Sequence, residues 1–146
     1  MRELVFALEF RGTAGAGPGG TRRARSTAPS QMLTTVLGGA GVHAETKAVD
    51  GEHAVLESVV ERFADGTFVE GGTITYGRAG SVTFATVGRG TVAPAPLRGW
   101  TSGAVMWTVT GGRGMFAGAT GLITSNFTVS AQGVVVDHHV ARLYLT

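Results

Sequence analysis

Short runs of β-branched and aromatic residues, each closed by a glycine-bearing turn, recur along the whole chain. They read "ELVFALEF", "SQMLTTVL", "GVHAETKAV", "HAVLESVVERFA", "TFVEGGTITYG", "GSVTFATVG", "GAVMWTV", "LITSNFTVS" and "VVVDHHVARLYL". Between them stand "GG", "DG", "GRAG", "GRG" and "AQG". Val, Ile, Thr and the aromatics fit a pleated surface, and glycine supplies the backbone freedom that tight turns need. Turn signals at such short intervals predict an antiparallel meander, closed as a barrel or stacked as a sandwich. With 24 glycines among 146 residues and no collagen period, the composition agrees with an all-β chain. No fixed long repeat is visible, which argues against propellers and solenoids.

The length suits one domain over residues 1–146. Two periodicities compete in "EHAVLESVVERFA". Leu56, Val59, Val60 and Phe63 fit helical spacing, whereas Val55, Val59 and Phe63 share strand parity, and "ADGT" ends the run as a hairpin turn. The β neighbours favour a strand, with a short helix as the alternative. Residues 12–30, "GTAGAGPGGTRRARSTAPS", carry almost no large apolar side chain and read as a flexible loop, long for a compact domain. In "GTVAPAPLRGW", a Pro-bearing connection, Trp100 is expected to pack over a barrel mouth or on a neighbouring subunit.

The formal charge of +2 rests on one segment, because without Arg22, Arg23 and Arg25 it becomes −1. Basic residues interleaved with aromatics along a face are missing, so no nucleic-acid partner is expected. No apolar run reaches the roughly 18 residues of a membrane span. The opening "MRELVFALEF" is too short and too acidic for a signal peptide. A cytoplasmic protein without a membrane partner is the expectation. The absence of cysteine removes disulfides and thiolate chemistry.

The stretch Thr110–Gly121, "TGGRGMFAGATG", lies between two strand-like runs. A dinucleotide fingerprint would need a helix after it, and a phosphate-binding loop would need a Lys-Ser or Lys-Thr pair. Neither is present. The stretch resembles the glycine-rich hairpin of the allene oxide cyclase and dirigent barrel superfamily, in which G-x-G-x-F-x-G-A-x-G joins two late strands. Gly112, Gly114, Phe116, Gly118, Ala119 and Gly121 fill that pattern, and the run from Gly51 onward is similar to an uncharacterised bacterial branch.

The resemblance implies an all-β, allene-oxide-cyclase-like closed antiparallel barrel of about eight strands. In it the Gly111–Gly121 hairpin lies near the C-terminal end, and Phe116 folds back as a plug over the core. It also implies a homodimer or homotrimer, an apolar small-molecule ligand in the lumen, and a cofactor-independent isomerase or cyclase acting on a polyketide- or lipid-like substrate. A non-catalytic ligand-binding or interaction protein with the same barrel is the alternative. No catalytic residue carries over from the family, because the N-terminal strands show no match to its cyclases.

Candidate chemistry therefore comes from strand parity. Glu57 and Glu61 share parity with Val55, Val59 and Phe63; if that face is lumenal, two carboxylates enter an apolar cavity as acid or base. Asp137 and His139 share one face of the last strand, opposite His138, Arg142 and Tyr144, so His139 is a candidate proton carrier. His43 and His53 stand apart from them, and no metal is expected. Asn126 is a candidate hydrogen-bond donor to ligand, and Trp107, Phe84, Tyr76 and Tyr144 are candidate lumen walls. Arg22, Arg23 and Arg25 could clamp a ligand carboxylate or phosphate at the mouth.

Overall fold

Alternating small and bulky residues, with turns at glycine, build eleven strands in the computed structural model, which describes Met1–Thr146. They are β1 (Arg2–Ala16), β2 (Arg22–Ala28), β3 (Gln31–Gly38), β4 (Gly41–Ala48), β5 (Ala54–Arg62), β6 (Phe68–Tyr76), β7 (Gly80–Thr86), β8 (Thr91–Pro94), β9 (Trp100–Gly114), β10 (Thr120–Ser130) and β11 (Val134–Leu145). The order β10-β11-β1-β2-β5-β6-β7-β9 is antiparallel throughout, and β9 pairs back onto β10, with Trp107 opposite Ile123. Eight strands thus form a closed barrel, as the sequence predicts. The short β8 pairs with Ala104–Thr101 of β9, beyond the point where β7 ends opposite Trp107.

Inward positions carry the apolar core. Phe10, Ile74, Val82, Trp107, Ile123 and Leu143 are fully buried. Phe84 stacks on Trp107 at 4.2 Å between ring centroids. In β5 the inward set is Ala54, Leu56, Ser58 and Val60, so the disputed segment is a strand.

The glycine hairpin closes one end of the barrel. Gly114 (φ 65°) and Gly118 (φ 74°) make turns that side chains resist, and a Cβ on Gly112 would collide with the carbonyl of Phe116. Phe116 is buried against Tyr76 at 5.2 Å, and Tyr76 meets the edge of Phe6 at 5.3 Å. Phe116 is the expected plug.

Two features depart from the sequence reading. Residues 12–30 are not a loop: β1 runs on to Ala16, a single turn spans Pro18–Gly20, and β2 pairs with both β1 and β5. Gly12, Ala14, Ala24 and Ser26 are small because two strands cross closely here and leave space inside. A Cβ on Gly12 would meet the carbonyl of Arg25. Strands β3 and β4 do not join the barrel but form a hairpin of their own that stands away from it. Its base is tied down by Gln31, whose side-chain Oε1 accepts from the Glu9 backbone N–H (2.6 Å) and whose Nε2 donates to the Glu9 carbonyl (3.2 Å). A side-chain amide thereby takes the place of a neighbouring strand.

Candidate functional site

The end of the barrel opposite the glycine hairpin opens into a cavity of about 70 Å³. Its small walls come from Thr13, Ala14, Ala24 and Ser26, its apolar walls from Leu56, Phe68, Val92 and Phe127, and its acids are Glu70 and Asp137. The rings of Phe68 and Phe127 meet edge to face at 5.8 Å. Glycine makes room for both: a Cβ on Gly90 would enter the Phe68 ring, and one on Gly103 the Phe127 ring.

Glu70 reaches the cavity because β6 places it on the same face as Phe68 and Ile74. Ser58 Oγ donates to its Oε1 at 2.6 Å, and Thr86 Oγ1 holds its backbone on both sides, accepting from the N–H and donating to the carbonyl. Part of the residue lines the cavity while its carboxyl group is withdrawn from water. That burial pushes the Glu70 carboxyl up to about 7, against the hydrogen bond from Ser58 and aided by the negative charge of Asp137.

Asp137 is held differently. Ser125 Oγ donates to Oδ1 at 2.6 Å, and His139 Nε2 lies 2.8 Å from Oδ2. All three side chains are buried. His139 packs on Phe10 at 4.4 Å and meets Trp107 edge-on at 5.1 Å. Its Nδ1 and the Trp107 Nε1 are both buried without a hydrogen-bond partner. With Asp137 between serine and histidine, Ser125 has no base to make it a nucleophile. The arrangement presents two acids across an apolar lumen, Glu70 raised by burial and Asp137 held by Ser125 and His139.

Several residues singled out in the sequence lie elsewhere. Glu57 and Glu61 face outward; Glu57 stands on the surface 3.9 Å from Arg25. Their face of β5 is the solvent face because both carboxylates sit on it, whereas the opposite face is uncharged from Ala54 to Val60 and meets a charge only at the strand end, in Arg62. Asn126 is exposed opposite His138 and Ala104, and the inward neighbour is Ser125. Tyr144 lies on the outward face of β11 with His138 and Arg142. Trp107 and Phe84 are core residues beneath the cavity, and Tyr76 lines a separate recess with Leu8, Ala28 and His53. Burial pushes the Tyr76 phenol up. His139 and Asp137 are inward together, as parity predicts. Glu70 was missed, although "TFVEGGTITYG" sets it in phase with Phe68 and Ile74.

No protein-family model matches the chain, and no curated protein matches it. Among solved structures it is similar to the pterocarpan synthase dirigent protein GePTS1, at 14% identity over 99% of this chain and 92% of that one, with a TM-score of 0.33. The closed barrel itself stands on the strand pairings.

Proposed function

We propose that this barrel binds an apolar small molecule in its open end and moves a proton on it, as a cofactor-independent isomerase or cyclase. One observation carries the reading: two carboxylates in unequal environments share a small apolar lumen. Glu70, raised to about 7, exists near neutral pH in both forms and can give a proton as readily as take one. Asp137, fixed by Ser125 and His139, is the complementary acceptor. A raised acid facing a second carboxyl group in different surroundings can divide acid and base roles with it. Phe68 and Phe127 hold the reacting end of the ligand and exclude water. A polyketide- or lipid-like substrate fits such a lining.

The test uses 3-cyclohexenone, which becomes 2-cyclohexenone by one proton removal and one delivery. In D₂O, proton NMR should show isomerisation and deuterium uptake faster with wild type than with Glu70→Gln or Asp137→Asn, while Glu57→Gln leaves the rate unchanged. Equal rates for all four proteins would contradict the proposal. A non-catalytic binder with the same barrel is the second reading, favoured by the serine hydrogen bond that each carboxylate already has. It predicts binding without exchange.

Self-association belongs to the same proposal. One face of the β3–β4 hairpin shows Leu33, Thr35, Leu37, Val42, Ala44 and Thr46 and no charge, while His43, Glu45 and Lys47 lie on the other. Leu37 is 76% exposed and Val42 67%. On the barrel wall, Val5, Val140, Leu122 and Met106 make a strip of exposed apolar residues at diagonal positions across β1, β11, β10 and β9, with Arg142, paired to Glu3, between Val5 and Leu122. The occupant of that strip is the uncharged hairpin face of a second copy. An eight-residue, two-stranded face measures about 27 by 10 Å, so reciprocal docking removes roughly 1,100 Å² in total, at the lower bound for a specific interface.

A further inference from the structure

The lumen cavity of about 70 Å³ is far smaller than the several hundred Å³ of a usual ligand pocket, so a ligand seated there must extend beyond it. The cavity continues outward. A groove of about 410 Å³ lies over the mouth, lined by Arg22, Arg62, Trp100, Thr101, Val129 and Ser130 among others, and it shares Arg22, Arg62 and Val129 with the cavity.

The polarity of this path is ordered. The acids lie at the inner end and none lines the groove. Arg22 has inward parity on β2 with Ala24 and Ser26, and it stands opposite Val60 in the pairing with β5, two residues from Arg62. Five other arginines have carboxylate partners: Arg11 with Glu9, Arg25 with Glu57, Arg78 with Glu52, Arg89 with Asp65 and Arg142 with Glu3. Arg22 and Arg62 have none, and the single hydrogen bond of Arg22 is a long one, 3.5 Å, to the Ala14 carbonyl. Guanidinium groups without a carboxylate partner at a cavity mouth, in a groove that Trp100 also lines, suit a planar anion.

We propose that the mouth is a carboxylate subsite, and that the ligand is an elongated molecule with an apolar reacting end and a carboxylate at the other. The proposal rests on the lumen reading given above. Charge then fixes the direction of entry, because a carboxylate is attracted by Arg22 and Arg62 and repelled by Asp137. Of the arginines in the "TRRAR" segment only Arg22 takes part: Arg23 and Arg25 have the opposite parity, and Arg25 stands beside Glu57 on the outer wall.

The probes are 4-phenylbutyrate and its uncharged amide, 4-phenylbutyramide, followed by NMR shifts of the Phe68 and Phe127 rings and by Trp100 fluorescence. Wild type should bind the acid about tenfold more tightly than the amide, the scale of a charge-assisted contact. In the double variant R22Q/R62Q that ratio should fall to about one with amide affinity unchanged, while R23Q/R25Q, which removes the same charge, keeps the ratio of wild type. A wild-type ratio of one, or a ratio kept in R22Q/R62Q, overturns the carboxylate subsite and leaves the lumen reading standing, provided the amide shifts Phe68 and Phe127. Neither compound shifting those rings overturns the lumen reading and the subsite together. Thermal unfolding of each variant verifies that the barrel is intact.

Discussion

Asp137 and His139 lie two residues apart on the inward face of β11, with His139 Nε2 2.8 Å from Asp137 Oδ2. Because Ser125 donates to the other oxygen, Asp137 holds two buried partners in place. Removing it leaves both unsatisfied, at about 1–3 kcal/mol for each stranded group. Asp137→Ala should therefore lose about 2–4 kcal/mol in urea denaturation and Ser125→Ala only about 1 kcal/mol. Equal effects would show that the three do not act as one network.

Glu70 makes stability depend on pH. Its carboxyl is raised from 4.5 to about 7 on folding, so between these values the folded state holds a proton that the unfolded chain has released. Stability from this group is complete below about pH 4.5 and is lost as pH rises to about 7, at up to about 1.4 kcal/mol per pH unit. Glu70→Gln should flatten the melting temperature between pH 5 and pH 8, and at pH 8 should be more stable than wild type. Calorimetry at both pH values reads the difference.

The plugged end depends on Phe116. Phe116→Ala should cost about 3–5 kcal/mol, as for other buried aromatics. Gly112→Ala sets a Cβ against the Phe116 carbonyl and should destabilise by more than about 1 kcal/mol, since backbone on both sides must shift. Both are measured by chemical denaturation. Unchanged stability in Gly112→Ala would mean that the hairpin tolerates a wider turn.

The β3–β4 hairpin gives an assembly prediction. Leu37→Glu places a charge on its uncharged face. Wild type should sediment as an oligomer at micromolar concentration and Leu37→Glu as a monomer with unchanged circular dichroism. A monomeric wild type would leave the hairpin without the partner assigned to it.

The barrel was legible because glycine turns and β-branched runs are local signals that agree with one another. Asp137 and His139 were legible for the same reason, as their strand alternates cleanly from Val135 to Leu145. Glu57 and Glu61 were misread because Val55, Val59 and Phe63 made their face look apolar. The deciding feature was the opposite face, uncharged from Ala54 through Leu56 and Ser58 to Val60, with a charge only at the strand end, in Arg62. Glu70 was hidden by the two glycines beside it, which blur the alternation of β6. The strands within residues 12–30 were read as loop because an apolar wall around a cavity is built from alanine, glycine and serine, the residues that also make turns. The separate hairpin had no signal, since a strand meant for another surface alternates as a barrel strand does.

The lumen acid is the centre of this account, and carbon-13 NMR of the Glu70 carboxyl, assigned through Glu70→Gln and followed from pH 3 to pH 9, tests it most directly. The predicted midpoint is near 7, moving down in Asp137→Asn as the neighbouring negative charge is lost. A midpoint near 4.5 that is indifferent to Asp137 would place Glu70 in water and contradict the proton-transfer site.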